Sequence, residues 1–109
     1  EVITVANTFI GTVLPIVRVG ATPVLVDCDP ITQQIDPEQV AAAITPRTSA
    51  IVPVHLYGRL APMDELLDIA DKNNLFLLED AKDFSKCSTS LSRIYPLRAT
   101  NAWIPFITF

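Results

Sequence analysis

The 109-residue sequence predicts an α/β domain with a mostly parallel sheet and right-handed βαβ crossovers. One observation is that its apolar runs carry Val, Ile and Leu at consecutive positions, as strands covered on both faces do. A second is that helical segments separate these runs. A third is that half of the residues are apolar, which is enough for a core. The predicted strands are residues 2–6, 22–27, 48–55 and 75–80.

The first predicted helix lies in "TFIGTVLPIVRVG", residues 8–20. Thr8 is a candidate N-cap, and Gly20 is the glycine expected just past the helix end. Pro15 lies inside this segment and lacks a backbone N–H, so it is expected to kink or delay the helix.

The second and third helices have clearer signals. In "IDPEQVAAAI", Asp36 is placed as the N-cap, Pro37 as the first helical residue and Glu38 in the first turn. The segment "APMDELLDIADKNN", residues 61–74, has one apolar stripe with acids opposite and ends at its two asparagines.

The pattern changes after Ala81. Residues 82–109 are rich in Ser, Thr and Arg, and only "IPFITF" resembles a strand. We therefore divide the sequence into residues 1–81, which have the α/β pattern, and a divergent tail, residues 82–109, which we expect to be frameshifted or disordered.

Composition excludes several classes of function. The net charge of −4 argues against a nucleic-acid partner, which needs a basic patch. No apolar run is long enough for a membrane span. One histidine and two widely spaced cysteines, Cys28 and Cys87, predict no metal site and a reduced, cytoplasmic protein.

Candidate site residues follow the predicted strands, because ligands of open α/β sheets bind at the carboxyl ends of the strands. These ends carry Asn7-Thr8-Phe9, Asp27, His55 to Gly58, and Glu79-Asp80. Asp80 has three interpretations. It caps the next segment, it holds Mg²⁺ with Glu79 in a hydrolase, or it pairs with the ring nitrogen of pyridoxal phosphate. The sequence has no phosphate-binding "GxxxxGK[ST]" run to accompany the metal.

The other candidates have structural alternatives. An apolar aromatic such as Phe9 more often packs in a core than against a ligand ring. His55 is more often a hydrogen-bonded structural residue than a catalyst, and Asp27 and Asp29 suit an ordinary turn. Glu79 is interpreted as either solvated or paired.

Three phrases, "EVITVANTFIGTV", "GATPVLVDCDP" and "IDPEQVAAAITPRTSAIVPVHLYGRLAPMDELLDIADKNNLFLLEDA", together resemble the DegT/DnrJ-type sugar aminotransferases. The resemblance covers residues 1–81 in order and spacing. It implies a fragment of the large domain of a pyridoxal-phosphate-dependent transferase of the aspartate-aminotransferase fold (fold type I). It further implies that Asp80 binds the pyridine nitrogen, that Phe9 lies against the cofactor ring, and that Thr8 and Asn7 line the same wall.

The sequence departs from this family after Ala81. The family continues "EDAAQAHG", whose glutamine contacts the phenolic oxygen of the cofactor, whereas Asp83 stands at that position in this chain. Nothing resembles the segment with the Schiff-base lysine or the turn that holds the cofactor phosphate. Lys82 and Lys86 are poor substitutes, since the lysine of the family arrives from a separate strand. We therefore predict no catalytic residue within this chain.

The resemblance implies an enzyme that transfers an amino group, typically from glutamate, to a keto sugar nucleotide for polysaccharide or antibiotic-sugar synthesis. It implies a homodimeric parent protein in the cytoplasm. The alternative is a non-catalytic, truncated remnant without turnover. The resemblance leaves open the sugar, the carbon that is aminated, and whether the parent is an aminotransferase or a dehydratase relative.

Overall fold

The computed structural model describes residues 1–81 and the backbone of residues 94 and 95. Its strands are β1 (Val2–Val5), β2 (Pro23–Val26), β3 (Ala50–Val52), β4 (Phe76–Leu78) and β5 (Ile94–Tyr95). Its α-helices are α1 (Ile10–Arg18), α2 (Pro37–Ala43) and α3 (Met63–Asn73). The predicted alternation of strand and helix is confirmed. The strands are shorter than the apolar runs from which they were predicted.

The sheet has the order β2-β1-β3-β4-β5, and its first four strands are parallel. The chain moves from β1 to β2 in one direction and then crosses back past β1 to β3 and β4. With right-handed crossovers, this reversal puts α1 on one face of the sheet and α2 and α3 on the other. Contacts between α2 and α3 agree with that arrangement. The reversal point between β1 and β3 is where such sheets bind ligands.

The β5 strand pairs antiparallel with β4, and the sequence did not predict it. Two residues are too few to show any apolar period. The predicted strand "IPFITF" and the residues Asp83, Lys82, Lys86 and Cys87 lie outside the described residues.

The core lies mainly between the sheet and the helices α2 and α3. Alternate strand residues point toward these helices and most of them are buried, whereas their neighbours point toward α1. The residues of this core include Ile3, Val5, Ile51 and Leu77 from the sheet and Val40, Leu66 and Ala70 from the helices. The opposite side of the sheet, which we call the α1 face, carries Thr4, Leu25, Val52 and Phe76. It is less covered, since Leu25 is 53% and Phe76 41% exposed.

The predicted helix ends are confirmed in part. Asp36 caps α2 by accepting a hydrogen bond from the backbone N–H of Glu38 at 2.8 Å, with Pro37 at the first helical position. Gly20 follows α1 with a φ of +81°, and Asn74 ends α3 in the left-handed conformation. The prediction that Thr8 caps α1 is wrong, because Phe9 is the N-cap residue and no side chain caps that helix.

Pro15 lies inside α1, and the helix continues through it to Arg18. The helix starts at Ile10, later than the sequence predicted, and Pro15 still falls past its first turn. None of the helices in the described part of the chain is both long and apolar enough to cross a bilayer.

Candidate functional site

Asp80 lies at the carboxyl end of β4, where its backbone is fixed from both sides by the continuation of β3. Its N–H donates to the carbonyl of Pro53 at 2.9 Å, and its carbonyl accepts from the N–H of His55 at 3.0 Å. These bonds extend the parallel pairing by one bridge, between Val54 and Asp80. Strand pairing therefore sets the direction in which the Asp80 side chain leaves the sheet.

The Asp80 carboxylate is bound by a side chain of α1. The Thr12 hydroxyl donates to its Oδ2 at 2.9 Å, and the two residues are 68 positions apart in sequence. Thr12 is buried, and its Oγ1 lies 3.0 Å from the Oγ1 of Thr8. Two of the three predicted cofactor-binding residues, Asp80 and Thr8, are thus joined through a residue that the sequence motifs did not single out.

Phe9 is 65% exposed, so the interpretation of this ring as a core residue is wrong. It immediately precedes α1, the helix that carries Thr12. A Cβ atom on Gly11 would come within 2.6 Å of Cε1 of the Phe9 ring, so the ring lies closely over a residue that has no side chain. The structure therefore displays an aromatic ring at the same end of the sheet as Asp80.

Asn7 follows β1 at this edge. Its Nδ2 donates to the carbonyl of Gln33 at 3.2 Å, and Gln33 has a φ of +61°. The Oδ1 of Asn7 is buried and accepts no hydrogen bond from the described residues. Buried polar atoms are nearly always satisfied, so this oxygen is a ready acceptor for a donor outside the described residues.

The side chains of Glu79 and Asp80 contact different parts of the structure. Successive side chains of an extended strand point to opposite faces, and in this strand Asp80 reaches Thr12 whereas Glu79 reaches His55. The Nε2 of His55 lies 3.2 Å from Oε2 of Glu79. The two acids therefore cannot chelate one ion together, which overturns the Mg²⁺-hydrolase interpretation of this pair. Within residues 1–81, no three His, Cys, Asp or Glu side chains converge as a metal site would require.

His55 is a structural residue, as the sequence favoured. It is 2% exposed, and its Nδ1 accepts the N–H of Ala61 at 3.0 Å. Gln34, equally buried, binds both backbone groups of Leu56, donating to its carbonyl at 3.0 Å and accepting from its N–H at 3.2 Å. Between these two anchors, Tyr57 is held at a φ of +56°, a conformation that costs a non-glycine residue about 1 kcal/mol.

Asp27 and Asp29 make the turn contacts that the sequence predicted. Asp27 accepts from the N–H of Cys28, and Oδ1 of Asp29 accepts from the N–H groups of Ile31 and Thr32. The donated N–H groups of Thr32 and then Ile31 lower the pKa of Asp29. Both carboxylates therefore accept hydrogen bonds from the backbone of the loop after β2.

The model of the DegT/DnrJ/EryC1/StrS aminotransferase family matches residues 1–87 of the chain. The chain belongs to this family. The resemblance seen in the three sequence phrases is thereby confirmed, and pyridoxal phosphate is the cofactor of the family.

Three similar proteins illustrate the match. A dTDP-3-amino-3,4,6-trideoxy-alpha-D-glucose transaminase of Micromonospora megalomicea is 51% identical over 80 residues, covering 73% of this chain and 21% of the relative. The structure of DesI in the presence of its TDP-sugar product has a TM-score of 0.77 and 47% identity. A GDP-4-keto-6-deoxymannose-3-dehydratase with a trapped PLP-glutamate geminal diamine has a TM-score of 0.74 and 31% identity. Each structure is matched over 83% of this chain and 23% of its own.

The chain spans about a fifth of the length of the curated relatives that it matches, 22% and 19% for the first two. It is a segment of the α/β domain of this enzyme class. The described residues fit the ring of the family's cofactor, since they combine a carboxylate, an exposed aromatic ring and a buried acceptor oxygen at one sheet edge.

Proposed function

We propose that the chain belongs to a pyridoxal-phosphate-dependent aminotransferase and forms the part of its cofactor site that contacts the pyridine ring. The observation that carries this proposal is the Asp80 carboxylate, which strand pairing and Thr12 hold at the carboxyl edge of the sheet. A carboxylate is the partner that a protonated ring nitrogen needs, whereas a neutral acceptor would bind it less strongly.

In this proposal, three residues act on the cofactor. Asp80 accepts a hydrogen bond from the ring nitrogen and keeps the proton there. Phe9 lies against the ring and excludes water from it, and Thr8 lines the adjacent wall. When bound, pyridoxal phosphate supplies an electron sink for amino-group transfer.

We propose glutamate as the amino donor and a keto sugar nucleotide as the acceptor. The Micromonospora transaminase and DesI support the acceptor, since their names include a dTDP-amino sugar and a TDP-sugar product, and the PLP-glutamate geminal diamine of the dehydratase structure supports glutamate as the donor. The dehydratase relative supports a second possibility on the same scaffold, removal of water from a keto sugar nucleotide. The 31% identity to the dehydratase, against 51% to the Micromonospora transaminase, favours the aminotransferase.

We propose that the parent enzyme is a cytoplasmic homodimer with neither a nucleic-acid nor a membrane partner. Cys28 is a free thiol in the described part of the chain, in keeping with a reducing compartment. The exposed apolar side chains of α1 and the α1 face, among them Ile10, Leu14, Val17 and Leu25, supply surface for the rest of the enzyme to cover.

The isolated chain is proposed to be without turnover. The single lysine within residues 1–81 is Lys72, in the last turn of α3. Since α3 leads into the amino end of β4, Lys72 lies at the sheet edge opposite to Asp80. Treatment of the chain with pyridoxal phosphate and borohydride should label no unique lysine. Stoichiometric labelling of Lys82 or Lys86 would contradict this.

The ring-nitrogen assignment is tested with pyridoxal phosphate and its deaza analogue, in which a C–H replaces the ring nitrogen. Equilibrium dialysis should show that the chain prefers the nitrogen-containing cofactor by about tenfold, the value of one charge-assisted hydrogen bond. Asp80→Asn should remove the preference. Glu79→Gln, the neighbouring acid on the other face, should retain it. Equal affinity of the unmodified chain for both ligands, or retention in Asp80→Asn, would refute the assignment.

A further inference from the structure

We infer that Thr12 is a positioning residue for Asp80 and that the two belong to a one-way hydroxyl relay, Thr8 to Thr12 to Asp80. The inference rests on the proposed function, because it concerns the same carboxylate. It also changes the role of Thr8, which the family resemblance placed directly against the cofactor.

The first step concerns what orients the Asp80 side chain. Hydrogen bonds to Pro53 and His55 fix its backbone but do not set its χ1 and χ2 torsions. The Thr12 hydroxyl, 2.9 Å from Oδ2, contributes to the orientation of the carboxyl group. Thr12 is suited to this task because it is 8% exposed and lies in the first turn of α1.

The second step concerns the direction of the relay. A carboxylate only accepts, so the single hydroxyl proton of Thr12 is donated to Asp80. The oxygen of Thr12 must then accept in its contact with Thr8, whose Oγ1 lies 3.0 Å away. The Thr8 hydroxyl is therefore the donor of that bond.

The third step concerns how Thr8 can contact a bound cofactor. With its one proton committed to Thr12, Thr8 cannot donate a hydrogen bond to a bound cofactor. Thr8 can present only its methyl group and its oxygen lone pairs to the cofactor. The hydrogen bond that it donates acts on the ring nitrogen only indirectly, through Thr12 and Asp80. Thr8 and Thr12 are both positioning residues in this scheme.

The relay is tested by NMR on the full 109-residue chain, using the three-bond couplings from the backbone nitrogen and carbonyl carbon of Asp80 to its Cγ. The unmodified chain should show the couplings of one staggered rotamer. Thr12→Val, which keeps the shape and removes the hydroxyl, should change these couplings and weaken pyridoxal phosphate binding by up to about tenfold, because a less ordered carboxylate must be fixed when the cofactor binds. Thr12→Ser should restore both.

Thr4→Val is the matched control, since the Thr4 hydroxyl is also buried and donates to the Val52 carbonyl at 2.8 Å. It should leave the Asp80 couplings unchanged. Unchanged Asp80 couplings in Thr12→Val, or the same change in Thr4→Val, would overturn the relay. If Thr12→Val does not fold, Thr8→Ala decides, because losing the upstream donor should shift the Asp80 carboxyl resonance. No shift would again overturn the relay.

The two proposals can fail separately. If the unmodified chain showed no preference between pyridoxal phosphate and its deaza analogue, the ring-nitrogen assignment would fall, whereas the couplings would still decide whether Thr12 orients Asp80.

Discussion

His55 donates a hydrogen bond from Nε2 to Oε2 of Glu79 across 3.2 Å, at the ends of neighbouring strands. The direction follows from the other ring nitrogen, because Nδ1 accepts the N–H of Ala61 and therefore carries no proton. One imidazole thus connects the end of β4 to the start of α3. The imidazole ring is thus held at both nitrogens, by the Glu79 carboxylate at Nε2 and by the Ala61 N–H at Nδ1.

Replacing His55 by Leu should lower the free energy of unfolding by about 2–4 kcal/mol, because it leaves a buried backbone N–H and a mostly buried carboxylate without this ring. Urea denaturation followed by circular dichroism measures the change. Glu79→Gln is the control, since its amide oxygen still accepts from Nε2, and it should cost about 1 kcal/mol or less. Equal losses for the two variants would contradict the donor and acceptor roles assigned to the two ring nitrogens.

Gln34→Leu should destabilise the loop that carries Tyr57. The substitution removes the partners of both backbone groups of Leu56, and each buried group left unsatisfied costs about 1–3 kcal/mol. Hydrogen exchange should accelerate at the Leu56 amide more than at amides of β1. Gln33→Ala, at the preceding exposed residue, should leave that amide protected. Unchanged exchange at Leu56 in Gln34→Leu would show that the clamp does not hold the loop.

Gly11→Ala should move the Phe9 ring, because the new methyl group would overlap its edge. Alanine is the better helix former by up to about 1 kcal/mol, so stability should stay constant or rise while the ring resonances shift. Gly20→Ala is the contrasting variant. It places a Cβ at a φ of +81°, so it should lose about 1 kcal/mol and leave Phe9 in place. A Phe9 ring unaffected by Gly11→Ala would contradict the close packing.

Acid should destabilise the chain partly through Asp29. The N–H groups of Thr32 and Ile31 hold its pKa below the ordinary value, so the unfolded chain takes up the proton first as pH falls. The resulting stability is fully present above the ordinary aspartate pKa and is lost as pH falls through the folded one. Asp29→Asn keeps an acceptor for both N–H groups and should flatten the stability profile in that acidic window. An unchanged profile would rule Asp29 out as a contributor.

The two faces of the sheet should differ in their response to truncation. Leu77→Ala removes a fully buried side chain from the core and should cost about 2–5 kcal/mol. Leu25→Ala removes a half-exposed side chain from the α1 face and should cost about 1 kcal/mol or less. Urea unfolding of both variants gives the comparison. Similar costs would mean that the α1 face is as well packed as the core in the isolated chain.

Local chemistry explains which parts of the fold were predictable. Asp36, Pro37 and Glu38 specify the start of α2 within three residues, and the left-handed residues after α1 and α3 are a glycine and an asparagine. Parallel strands are recognisable from apolar residues on both faces. These signals lie within a few residues of the structure that they specify.

The failures come from partners that lie far apart in sequence. Thr8 has the right identity for an N-cap, but its hydroxyl instead contacts Thr12, which is bound to an acid 68 positions away. The family resemblance supplied the proposed role of Asp80, and only the structure supplied its contact with Thr12. Thr8 and Thr12 are four residues apart, and although Thr8 precedes the N-cap residue Phe9, this spacing brings the two hydroxyls together at the start of α1. That spacing is the one signal in the sequence that could have pointed to the relay.

Glu79 and Asp80 lie on opposite faces of the sheet. Their positions therefore depend on whether the number of residues between α3 and β4 stays the same or changes by one. Removing one residue between α3 and β4, or inserting one, would exchange the two acids if β4 slipped by one position. The glutamate, longer by one methylene, would then face Thr12, and the aspartate would fall short of His55. Sequence relatives that merely contain two consecutive acids are therefore not equivalent. The phase of the pleat, as much as the presence of a carboxylate, decides which acid meets Thr12.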